Sequence, residues 1–88
     1  MRLKYITYKQ GSDEGAIIFH ERLVHTYIAE GLRAHNFGDW NNYGNITVVS
    51  AGFCSRDEKE GWKAWGKSES LGLESRPYDA RILRRIYG

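Results

Sequence analysis

Residues 46–54, ITVVSAGFC, decide the fold. Side chains on both alternating faces of this run are largely apolar, which predicts a strand from the middle of a sheet. The charged segment SRDEKEG (55–61) predicts a turn, and WKAWGKSE (62–69) reads as the partner strand of a hairpin. Trp65 then stands between Lys63 and Lys67 on one face of that strand.

Downstream, GKSESLGLESRP (66–77) leads to a helix. Pro77 suits the first helical position, where a missing N–H leaves no orphan donor. Asp79 falls in the electropositive first turn, and Arg81, Arg84 and Arg85 sit toward the negative end. Ala80, Leu83 and Tyr87, or Ile82 and Ile86, supply the apolar spacing. Upstream, Leu3 to Tyr8 alternates as a strand, QGSDEG (10–15) has turn chemistry, and AIIFH (16–20) returns as a second strand. Leu23, Val24, Tyr27, Ile28 and Leu32 recur on one face of a helix placed at about 21–34. HNFGDWNNYGN (35–45), with four Asn and two Gly, predicts a long loop. The order is ββαββα, which predicts an α+β fold: a four-stranded antiparallel sheet with both helices packed on one face.

Composition bounds the function classes. Eighty-eight residues predict a single domain with a thin core. Cys54 is the only cysteine, so no disulfide forms within the chain, and a cysteine-rich zinc site is excluded. A lone thiol, no signal-peptide pattern at the start and no long apolar run together predict a cytoplasmic protein that does not meet a membrane. Thirteen basic and eleven acidic side chains give a net charge of +2, which argues against an acidic mimic of DNA and permits nucleic-acid binding without requiring it. Aromatic residues make up 14% of the chain, with three Trp and six Tyr, more than a small core absorbs. Some of these rings are therefore expected at the surface.

Three groups of residues are candidates for recognition. Phe37, Trp40 and Tyr43 recur every three residues in a polar segment that includes Asn42, a pattern suited to a protein-binding hot spot or a base-stacking platform. Arg81, Arg84 and Arg85 fall at i, i+3 and i+4, so they share a helical face that could meet phosphates or an acidic protein surface; solvated charge at a helix C-terminus explains them as well. Ser68, Ser70, Ser75 and Arg76 form a serine-rich approach to a helix that could hold an anion. The competing reading makes Ser75 a helix cap, with Leu71 and Leu73 anchoring the segment and Gly72 permitting its turn. His20, His25 and His35 lack ligand spacing and read as ordinary polar or half-buried residues, and Cys54 as a buried, inert thiol. No cofactor, metal or catalytic residue is indicated, and a non-enzyme is expected.

VVSAGFC (48–54) with GKSESLGLESRPYDARIL (66–83) resembles small, mostly uncharacterised proteins encoded by bacteriophages and prophages. These share a Ser-Ala-Gly-Phe strand and a Ser-x-Ser-Leu-Gly-Leu-x-Ser-Arg-Pro-x-Asp segment before a final helix. The resemblance covers roughly the second half of the chain and brings no assigned chemistry. It implies an accessory protein in the bacterial host cell that binds and disables a host protein or ribonucleoprotein complex, defence systems such as CRISPR–Cas included. A nucleic-acid or nucleotide-binding domain is the alternative, using Arg76, Arg81, Arg84 and Arg85 with exposed aromatics. The oligomeric state is not encoded in any motif.

Overall fold

The computed structural model of the chain describes residues 2–37 and 46–88, and side chains within those spans except at 33–37. In chain order the elements are β1 (Leu3–Gln10), β2 (Asp13–His20), α1 (His25–Phe37), β3 (Ile46–Asp57), β4 (Gly61–Trp65), β5 (Lys67–Ser68), β6 (Leu73–Glu74) and α2 (Asp79–Tyr87). The first four strands that pair make one antiparallel sheet in the order β2-β1-β3-β4. The fold is α+β, and the strand at 46–54 lies inside the sheet, between β1 and β4, as its two apolar faces predict. None of the described helices is long and apolar enough to cross a membrane.

The helices do not share a face. Tyr5 and Ile6 are neighbours in β1 and both are fully buried, yet they belong to separate apolar clusters. Tyr5 packs with Ala16, Cys54 and Trp62 against Ile82 and Leu83 of α2. Ile6 packs with Phe19, Val48 and Ala51 against Ala29 of α1, with Ile28 and Leu32 alongside. Adjacent strand residues point to opposite faces, so α2 covers one side of the sheet and α1 the other. This corrects the expectation of both helices on one face. The cause is visible in the strands: a sheet apolar on both sides needs a cover on each. Ile82 and Leu83 each contribute about 1.5–3 kcal/mol by this burial.

Several boundaries differ from the sequence reading. β1 runs on to Gln10 and β2 begins at Asp13, which narrows the turn expected at 10–15 to residues 11–12, and β3 runs on to Asp57. The first helix begins at His25, not at 21, and runs to Phe37. The strand expected at 62–69 stops at Trp65, because Gly66 takes φ +83° and turns the chain into the small β5–β6 hairpin. A Cβ at Gly66 would lie 2.8 Å from the Phe53 ring, and one at Gly52 would lie 2.4 Å from the Trp65 carbonyl oxygen. These two glycines let β3 and the end of β4 approach closely. The last helix begins at Asp79, with Pro77 two residues earlier in the preceding turn.

Candidate functional site

On the α1 side, recognition chemistry starts from the helix boundary. Leu23 N–H donates to the His20 carbonyl (3.0 Å), and Tyr27 N–H donates to the Val24 carbonyl (3.0 Å). A turn thus precedes the helix, and its buried face begins at His25, continuing through Ile28, Ala29 and Leu32. His25 is 4% exposed, donates through Nε2 to the Gly52 carbonyl (2.9 Å), and sits edge-on to Phe19 and Phe53. Burial pushes its pKa below the ordinary value; the Gly52 hydrogen bond opposes that shift and the charge of Lys4 adds to it.

The later start turns apolar side chains outward. Leu23, Val24 and Tyr27 are 41%, 52% and 71% exposed, and all three line one shallow groove with Arg22, Thr26 and Glu30. Val24 also borders an adjoining cleft of about 470 Å³, where Trp65 is 41% exposed beside Phe53, Arg2, Lys4 and Lys67. The Arg2 guanidinium lies 4.3 Å from the centre of the Phe53 ring, within cation–π range, and pairs with Glu21 at 3.3 Å. Lys4 Nζ donates to the Leu23 carbonyl at 2.9 Å, tying β1 to the turn. A strip of apolar and aromatic surface results, bordered by Arg2, Lys4, Arg22 and Lys67 and by Glu30 and Glu69, an arrangement able to bury a partner's apolar groups inside a charged rim.

On the α2 side lies a buried polar network. Asp79 is fully buried and accepts from the Tyr5 hydroxyl (2.5 Å), the Arg76 N–H (3.0 Å) and Arg76 Nε (2.9 Å). Tyr5 Oη also lies 2.7 Å from Ser75 Oγ, and Arg76 Nη2 donates to Thr7 Oγ1, which is hydrogen-bonded to Ser50. Burial raises the Tyr5 pKa far above the ordinary phenol, and the neighbouring Asp79 carboxylate adds to that. The network fixes the start of α2. Asp79 ties the turn at Arg76 to the first residue of α2 through the Arg76 N–H, the N-cap Tyr78 makes no side-chain cap, and Ser75 makes no cap of this helix.

The residues predicted from sequence divide accordingly. Trp40, Asn42 and Tyr43 lie outside the described residues, and Phe37 closes α1 with its side chain outside the description. Ser68 is 2% exposed; its Oγ accepts from Leu71 N–H and lies 3.3 Å from Ser70 Oγ, which makes it a turn clip. Ser68 and Ser70 border the Trp65 cleft, whereas Ser75 and Arg76 join the Asp79 network, so the four do not converge on one anion site. Of the arginines, Arg84 Nε donates to the Trp62 carbonyl (3.0 Å) and Arg85 Nη2 to the Glu14 carbonyl (3.1 Å), on opposite edge strands; Arg81 is exposed. Periodicity placed Leu23, Val24 and Tyr27 on one helical face with Ile28 and Leu32, and did not single them out as surface residues.

Cys54 is fully buried and burial raises its thiol pKa to about 12, so it is held as an inert thiol. Among the described residues no three His, Cys, Asp or Glu side chains gather in metal-binding geometry. Comparison with protein-family models, curated proteins and solved structures finds no match.

Proposed function

We propose that this chain is a non-catalytic accessory protein that docks on a host macromolecule and disables it. A bacterial defence complex is the class of partner that the resemblance of its second half to phage-encoded proteins suggests. The observation that carries the reading is the strip formed by Leu23, Val24, Tyr27 and Trp65. Large rings standing out of a small protein are disfavoured unless they are covered in use. The mixed charges on its border, Arg22 and Lys67 with Glu30 and Glu69, set the orientation of a partner of complementary charge.

The test is capture of a partner from host-cell extract by the wild-type chain, by a Val24→Glu/Tyr27→Ala double variant and by Trp40→Ala. Both altered strip positions are solvent-facing, so the melting temperature of the double variant stays within about 2 °C of wild type. Its affinity for the captured partner falls at least about 100-fold. Retention of that partner by the double variant, with loss in Trp40→Ala, would move the contact to the segment around residue 40. A wild-type chain that enriches no partner reproducibly would overturn the function itself.

A further inference from the structure

The β1–β2 hairpin tip carries another cleft, of about 580 Å³, which shares no lining residue with the docking strip. Three cations converge there on one residue. Lys9 Nζ lies 3.7 Å and Arg76 Nη2 3.8 Å from the same Glu14 Oε1, while Arg85 Nη2 donates to the Glu14 carbonyl at 3.1 Å. The two carboxylate distances are longer than hydrogen bonds, so Glu14 offsets charge without satisfying the donors.

Arg76 is also fixed from behind. Fully buried Asp79 holds its Nε at 2.9 Å, and Thr7 Oγ1 takes a second bond, leaving the side chain 32% exposed toward the cleft. A guanidinium held in place before a ligand arrives loses little freedom on binding, and its planar fork matches phosphate oxygens. Against Glu14 and Asp79, the three cations leave one net positive charge. On the same wall the Tyr78 ring is 44% exposed, with its centre 5.9 Å from the Arg76 guanidinium carbon. Gly11 also lines the cleft, and nothing lies within 4 Å of where its Cβ would stand.

We propose that this cleft binds a nucleoside phosphate, with the phosphate on Lys9, Arg76 and Arg85 and the base stacked on Tyr78. Glu14 holds the place of the anion in the free protein and turns away when phosphate enters. Free nucleotides and single-stranded nucleic acid present the same chemistry, and the experiment separates them.

The experiment follows backbone amide resonances of the full chain at low salt during titration with inorganic phosphate, adenosine 5′-monophosphate, adenosine, and a short single-stranded oligonucleotide. Phosphate and the nucleotide produce saturable shifts at Lys9, Gly11, Ser12, Arg76, Tyr78 and Arg85, with the nucleotide about tenfold tighter through its stacked base. Adenosine shifts nothing there at matched concentration. Lys9→Ala weakens the nucleotide about tenfold, and Tyr78→Ala reduces it to the affinity of phosphate. Glu14→Gln strengthens both ligands severalfold, a change of sign that a purely structural role for Glu14 would not produce. An oligonucleotide bound more tightly than the mononucleotide identifies nucleic acid as the source; the reverse order identifies a free nucleotide. Linear, unsaturable shifts spread over all basic residues, or a Glu14→Gln chain with unchanged affinity, would overturn the proposal.

Discussion

At the scale of single residues, Asp79 and His25 carry the most structure for their size. Asp79 has no contact with water and three donors pointed at it. Asp79→Ala removes the acceptor of the buried Tyr5 hydroxyl and of Arg76 Nε, so urea unfolding should show a loss of about 3 kcal/mol. Ser75→Ala removes one hydroxyl from the periphery of the same network and should cost only about 1 kcal/mol. Equal losses for the two would mean that the carboxylate is not the hub. His25 binds its proton less well in the fold than in the unfolded chain, since its pKa is lowered from 6.5. As pH falls through that unfolded value, the unfolded state takes up protons first, and stability declines until the folded histidine also protonates. The melting temperature should therefore be level above about pH 7 and fall between about pH 6.5 and 5. His25→Gln should remove that segment of the decline while keeping a donor for the Gly52 carbonyl; an unchanged profile would assign the decline to other groups.

At the scale of elements, α2 does more than cover one face. Arg84 donates to a carbonyl of edge strand β4, while Arg85 and Tyr87 donate to the Glu14 and Ala16 carbonyls of edge strand β2. Unpaired edge carbonyls are templates for another strand, and these side chains occupy them. Arg85→Ala/Tyr87→Phe should raise concentration-dependent self-association above the wild-type level in sedimentation velocity; identical sedimentation would show that the edge is protected otherwise. The sequence pointed to both helices and all four main strands because their apolar periods are strong. It misplaced the start of α1 by four residues, because nothing local marks it: the first turn has no acidic residue, and Val24 ahead of it carries no capping oxygen. His25 sets that start through a bond to Gly52, which is distant in sequence. Arg81, Arg84 and Arg85 stand on α2 at the spacing the sequence gives, but Arg84 and Arg85 reach opposite edge strands, and spacing cannot tell a solvent-facing arginine from one tied to an edge carbonyl.

At the scale of the whole molecule, the sheet is a shared inner layer with a helix on each side, and each side has acquired a separate surface chemistry. The clue lay in residues 46–54: apolar content on both faces of a strand speaks of cover above and below, as well as of neighbours to left and right. The expectation that some rings stay outside holds for Tyr27, Trp65, Tyr78 and Tyr87. Which rings they are was not legible, because exposure depends on where α1 starts and where Gly66 turns the chain. The most direct measurement of the docking account is a hydroxyl-radical footprint of the chain, free and bound to its captured partner. Oxidation of Leu23, Tyr27 and Trp65 should fall severalfold on binding, with Tyr78 and Ile86 on the opposite side unchanged. Protection of Tyr78 and Ile86, with Tyr27 and Trp65 oxidised as in the free chain, would contradict the account.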